Sequence, residues 1–514
     1  MHPTFLDRFS KRSNAIVIVI LCLACVIIIF VHLITLTKFP PVLIDEPWYA
    51  NAAWSWLKTG KNFDTMHSIG RESVTWPYLG NIPLVVSFYF FGLGLLQARI
   101  ISWLFGIFLL ITTALVGRKL YGTLTGVLSA LLLSISTPYL WSSHYYRPDV
   151  MLLSITMLCF LLILIAFDRN KWWAHFLTGF MITVSIDIHQ NVVLFGLGFT
   201  VLYLYHYRKN ILRERGIWLF ILGGFFGALY YLTVVVLPHK TDFINSYRFA
   251  MGTSHQLPLL TFNIKAILMS ARAEIGRFRF FDNSLDFAVI VASIVYLAVR
   301  RSKEDRTILL YTGILFAGFV LLIGNKEYEY AIYLYPNFMI ISAAAIAALL
   351  NHVYSNPQQR AFVFALIGMY FVCTSFYAAR SLASHKDYDY YASVAQLKES
   401  IPTGARVMGM PEWWFGLYEY DYHSINDLTY LHFLKGDTLT QGLMKVRPDI
   451  IIVDDVVRKR LVDNNYFLNE GFELYNMPRA EFDSFLNKYG VKMGEFFIPM
   501  HGIIDIYKIN WDSG

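Results

Sequence analysis

Two adjacent carboxylates, Asp45 and Glu46, stand in the stretch LIDEPWYANAAW at 43–54, directly after a long apolar run. An acid at such a boundary can act as a general base, taking a proton from a hydroxyl where a lipid-borne reactant meets a water-borne one. A plainer reading is also open: Asp45 caps the helix that follows, and Glu46 favours its positive end. One cap does not explain two carboxylates at an apolar edge. Further ionisable groups interrupt other apolar runs. YLWSSHYYRPDVML (139–152) holds His144, Arg147 and Asp149, and SIDIHQNVVLF (185–195) holds Asp187 and His189. GNKEYEYAIYLYP (324–336) holds Lys326, Tyr328 and Glu329, and Arg99 lies near the start of another run. Ionisable groups in or beside membrane spans mark functional sites. Taken singly, Arg99 and Lys326 can also snorkel to an interface, and Arg147 with Asp149 can simply pin a turn.

The elements that carry these groups are membrane helices. Of 514 residues, 56% are hydrophobic and 15% charged, well below the quarter or so of charged residues in soluble domains. Apolar runs of about 20 residues are long enough to cross a bilayer. Eleven such stretches fall near 15–36, 95–117, 121–139, 149–167, 172–187, 191–206, 216–237, 285–299, 307–324, 332–350 and 361–379. The expected fold is a polytopic α-helical membrane domain, residues 1–380, with outer loops at 38–93 and 238–282. Basic clusters at the N-terminus, Arg118-Lys119, 168–171, 207–215 and 300–306 all fall on one side, which the positive-inside rule makes cytoplasmic. An odd span count then puts residues 381–514 outside the plasma membrane. Strand-like runs at 406–410, 449–455, 495–499 and 503–509 predict a small extracytoplasmic α/β domain there.

The helix predicted after Asp45 repeats Trp48, Ala52 and Trp56 every four residues and stops at Gly60, which suits an amphipathic helix lying along the outer interface. The four cysteines all sit in apolar runs and read as small hydrophobes. No metal-ligand spacing stands out; a divalent cation, if one is used, would draw on His144, His189 and His255 with nearby acids. No phosphate-binding glycine loop is present, and no basic run interleaved with aromatics points to nucleic acid.

Taken in order, these residues resemble the GT-C membrane glycosyltransferases: protein O-mannosyltransferases, lipid A aminoarabinose transferases and lipopolysaccharide-core transferases. The resemblance rests on the Asp-Glu pair after the first span, WPYLGNIPL (76–84), QARIISWLFG (97–106), HYYRPDVMLL (144–153) and a K-x-x-x-Y-x-x-Y-x-x-P pattern within KEYEYAIYLYP, and covers about residues 10–350. It implies transfer of a sugar from a polyprenyl-phosphate donor to an acceptor hydroxyl at the outer face, with inversion. On this resemblance Asp45 is the base and Glu46 its neighbour, while Arg99 and Lys326 face the lipid phosphate. Asp149 lines the cavity, and His144, Arg147, His189 and Tyr328 complete the expected substrate-binding set. The loop at 238–282 has no β-trefoil insertion and the tail is similar to those of bacterial members, so a lipid-linked or cell-envelope glycan is the expected acceptor. Protein O-mannosylation, or transport of a lipid or glycan without transfer chemistry, are the alternatives.

Overall fold

The computed structural model describes residues 5–67, 77–169, 171–241, 243–244, 263–279, 284–324, 328–353, 357–463 and 476–513. The main helices before residue 384 among these residues are α1 (Phe5–Thr35), α2 (Asp45–Thr59), α3 (Tyr78–Phe91), α4 (Leu95–Tyr121), α5 (Thr123–Ser134), α6 (Thr137–His144), α7 (Pro148–Arg169), α8 (Trp172–Val184), α9 (Val192–Tyr207), α10 (Arg215–Tyr230), α11 (Ile264–Arg279), α12 (Ser284–Arg300), α13 (Lys303–Leu322), α14 (Tyr335–His352) and α15 (Pro357–Ala383). Helices occupy all eleven predicted stretches. Six are long and apolar enough to cross a membrane, or up to seven when the pair α5–α6 is taken as one bent span. The others are shorter or less apolar, so the count of eleven stays an expectation.

Two local corrections have clear causes. The stretch at 121–139 is not one straight span: α5 and α6 meet at 68°. Pro138 in the first turn of α6 and extended backbone at Ser136 break the helix there. Helices α8 and α10 pack backbone to backbone. A Cβ added at Gly179 would lie 2.0 Å from the Phe220 carbonyl oxygen, and one at Gly223 would lie 2.0 Å from that of Phe176. Only glycine allows this approach, the small-residue packing typical of membrane helices.

The C-terminal unit contains a five-stranded sheet in the order β2-β1-β3-β7-β6. Its strands are β1 (Arg406–Gly409), β2 (Asp421–Ser424), β3 (Ile450–Val453), β6 (Gly490–Ile498) and β7 (Gly502–Ile509), while β4 (Leu461–Val462) and β5 (Met477–Pro478) form a separate pair. Strand β1 runs parallel to β2 and β3, and β7 runs antiparallel to β3 and β6. β3, the sequence Ile-Ile-Ile-Val, is buried throughout, as befits a central strand covered on both faces.

Helix α2 is covered by protein on much of its surface. Seven of its fifteen residues are buried, and one apolar core joins it and α3 to the C-terminal sheet: Ala50, Ala53, Leu84 and Phe88 share it with Met408, Trp413 and Leu417. The Trp54 ring stands edge-on to Tyr418 at 6.0 Å. The Ser424 amide donates to the Met66 carbonyl at 3.0 Å, and the Val42 amide donates to the Tyr388 hydroxyl at 3.3 Å. Trp48 and Trp54 are partly buried against this shared core, and the Trp56 ring stands edge-on to Tyr78 of α3 at 5.3 Å. Gly60 does end α2, in the left-handed conformation (φ 76°), with its N–H on the Trp56 carbonyl.

Candidate active site

Asp45 and Glu46 open α2 but point into different surroundings. No side chain caps α2; its N-cap position is Ile44. The capping role that the sequence leaves open for Asp45 is therefore not used. Glu46 is fully buried and forms a two-pronged pair with Arg99 of α4, also fully buried: Nε to Oε1 at 2.9 Å and Nη2 to Oε2 at 2.7 Å. The amides of Tyr146 and Leu43 donate to the same carboxylate at 2.8 and 3.2 Å. Arg99, expected beside a lipid phosphate, instead turns its remaining nitrogen, Nη1, on the carbonyls of Leu36, Phe39 and Pro40 at 2.7, 3.3 and 2.9 Å. One guanidinium thus ties the end of α1, the start of α2 and α4 together. With charge paired and hydrogen bonds fulfilled, such a pair is tolerated in a dry interior.

Asp45 lies on the other side of that turn, with a third of its side chain exposed. Its Oδ2 is 3.0 Å from Nη1 of Arg147, which sits between α6 and α7 and is itself 8% exposed. Arg147 also donates through Nε to Asp149 at 2.8 Å, and its Nη1 lies 3.6 Å from Glu329. Tyr333 donates its hydroxyl to the other oxygen of Asp149 at 2.5 Å, and the Tyr330 ring faces the guanidinium at 5.6 Å. Tyr328 borders the same charges. The His189 ring lies 5.9 Å from that of Tyr330 and 6.4 Å from that of Tyr333. Four stretches far apart in sequence (45, 147–149, 189 and 328–333) therefore meet around one arginine.

The remaining predicted residues separate from this cluster. His144 is buried behind it, with Nε2 2.9 Å from the Thr35 hydroxyl and its ring 4.8 Å from that of His32. Asp187 accepts the first amides of α3, those of Tyr78 at 3.1 Å and Leu79 at 2.9 Å, and so caps that helix. Lys326 and His255 lie outside the described residues. Among the described residues no group of three or more His, Cys, Asp or Glu side chains is placed to hold a metal ion. His255, one of the histidines considered for a cation, is not among those residues.

Sequence reasoning passed over Glu412. It lies in the turn Pro411–Trp413, which packs against α2, and it is buried. Its signal was a lone acid in an otherwise apolar and aromatic stretch, MPEWWFGL, after a predicted strand. The pair Asp454-Asp455, in contrast, directly follows β3. Asp454 accepts the Val457 amide at 2.8 Å and the Trp413 indole N–H at 3.0 Å.

Comparison with known proteins follows the same outline. Residues 77–233, which carry Arg99, His144, Arg147, Asp149 and His189, match the family profile of dolichyl-phosphate-mannose-protein mannosyltransferases. No curated protein matches the chain by sequence. Among solved structures, ArnT from Cupriavidus metallidurans bound to undecaprenyl phosphate is similar at 13% identity and a TM-score of 0.59, over 95% of this chain and 97% of that one. The archaeal oligosaccharyltransferase AglB from Archaeoglobus fulgidus, in complex with an inhibitory peptide and a dolichol-phosphate, is similar at 14% identity and a TM-score of 0.54, over 96% of this chain and 74% of that one. Family match and fold agree: the chain is a multi-pass membrane protein that shares its fold with these GT-C structures, and residues 77–233 carry the profile of a mannosyltransferase family.

Proposed function

We propose that this enzyme moves a sugar from a polyprenyl-phosphate carrier to an acceptor hydroxyl at the outer face of the plasma membrane, with Asp45 as the general base. The observation that carries the reading is the placement of Asp45: partly exposed, oriented by a buried arginine, where apolar helices meet the C-terminal unit. The acceptor oxygen attacks the anomeric carbon as the bond to the carrier phosphate breaks. Its proton passes to Asp45, and the lipid phosphate departs with the bonding pair. Attack opposite the leaving group inverts the sugar. Arg147 holds Asp45 in place, while Glu46 and Arg99 keep the helix start rigid and take no part in binding. His144 supports the turn from behind, and His189 and Tyr328 border the Arg147 cluster.

Among the described residues one guanidinium faces three carboxylates (Asp45, Asp149 and Glu329), a formal excess of negative charge. An anionic carrier therefore needs an added cation, and Lys326, two residues before Tyr328, is the one we assign. Lys326→Ala should lower transfer about a hundredfold, the loss of roughly 2–4 kcal/mol of transition-state stabilisation, whereas Lys326→Arg should keep part of the rate. A snorkelling lysine would tolerate both changes in a direct assay of turnover.

A lipid-linked or cell-envelope glycan is the proposed acceptor. The deciding experiment follows radiolabelled sugar from synthetic polyprenyl-phosphate donors into an envelope extract, using purified protein in liposomes. Glycan mass spectrometry of a deletion strain identifies the product. Movement of intact donor across the bilayer without transfer would establish transport instead. The proposed topology, N-terminus inside and residues 381–514 outside as a distinct domain, is checked separately. A cysteine at the exposed position Ser484 should react with an impermeant maleimide in intact spheroplasts. Labelling only after lysis would reverse the orientation.

A further inference from the structure

We infer that Glu412 is a proton-gated positioning residue: the C-terminal unit seats on α2, beside Asp45, while this carboxyl is neutral, and ionisation of Glu412 loosens the seat. Glu412 is 6% exposed, and its Oε2 is buried without any hydrogen-bond partner. The backbone around it is fixed. The Tyr390 hydroxyl donates to the Glu412 carbonyl at 2.9 Å, and the Trp413 ring rests 4.3 Å from that of His501. The turn therefore cannot swing the carboxyl out to water while the unit stays docked.

The charges facing this carboxyl come from several elements. Asp45 of α2 and Asp454 at the end of β3 both oppose a second negative charge there, and Arg460, after β3, is the cation that favours one. The phenols of Tyr388 and Tyr422 also adjoin it, and His501 is held neutral by burial. An anion here would lie in a dry seam against two like charges, with one arginine to offset them and no donor on Oε2. Burial, followed by the Asp454 charge, accordingly raises Glu412 from 4.5 to about 8.

The sign follows from linkage. A carboxyl with a raised docked pKa binds its proton more tightly when docked, so docking is strongest below about pH 4.5 and weakens as pH rises. The opening constant should grow about tenfold per pH unit across the interval between the two pKa values and level off above the upper one. The functional consequence, a site near Asp45 that is better enclosed in acid, rests on the proposed reading of Asp45. The seat itself does not.

The test needs no substrate. Hydrogen exchange of the full-length protein in nanodiscs, between pH 5 and 9, reports seam opening through the Ser424 amide, which donates to Met66. Peptides from α7 in the same sample correct for the intrinsic pH dependence of exchange. In the wild type the corrected opening should rise about tenfold per unit and then level off near pH 8. Glu412→Gln, neutral and of the same shape, should abolish the rise and exchange more slowly than wild type at pH 8. Glu412→Met should behave in the same way, which guards against a defect peculiar to glutamine. A flat wild-type profile, or an equal rise in both variants, would overturn the inference while leaving the transfer reaction untouched.

Discussion

Asp45→Asn should reduce sugar transfer by about 10²–10⁴-fold, the span expected when a general base is removed, in a protein that still folds. The fold should survive because Asp45 supplies no helix cap and its pair with Arg147 is partly exposed. Arg147 is not left orphaned, since Asp149 still accepts from it at 2.8 Å. The measurements are turnover with a polyprenyl-phosphate sugar and thermal unfolding of the same preparation. Turnover close to wild type in the folded variant would remove Asp45 from the chemistry.

The neighbouring residue predicts the opposite pattern. Glu46→Ala should destabilise the protein by about 3–5 kcal/mol, because it leaves the Arg99 guanidinium charged and unpaired in the interior. Arg99→Ala should do comparable damage, since it strips a partner from Glu46 and from three backbone carbonyls. Replacing both at once, Glu46→Leu with Arg99→Met, should recover part of the loss: no charge is then stranded. Unfolding temperature and the yield of monodisperse protein are the readouts. An Arg99→Ala protein that melts like wild type yet binds polyprenyl phosphate more weakly would restore Arg99 to the substrate site.

Two adjacent acids thus divide the work, and their sequence context could not say which does what. Asp45 and Glu46 are about 100° apart around a helix, so a single residue step turns one toward the cluster and the other toward α4. Only the packing of α4 and of the loop at 146 fixes which side is dry.

Local patterns along the chain already set the membrane class, because long apolar runs have no other stable home than a bilayer or a large core. They also determined the α/β character of the tail. β1, β3, β6 and β7 overlap runs whose alternation or continuous hydrophobicity is local information. β2, Asp421–Ser424, is short and polar, and it exists because β1 offers it a parallel partner. Composition also drew the polar interruptions at 147–149, 189 and 328–333 to notice one by one. Their meeting around Arg147, the closure of Arg99 on Glu46 and the burial of Glu412 against α2 were decided by tertiary structure alone. The reason is distance along the chain: Asp45 and Arg147 are joined by helices whose crossing angles and breaks, such as the bend between α5 and α6, no local pattern encodes. The same holds for α2, whose tryptophans suit a lipid headgroup layer and a protein seam equally well until the C-terminal sheet is set upon them.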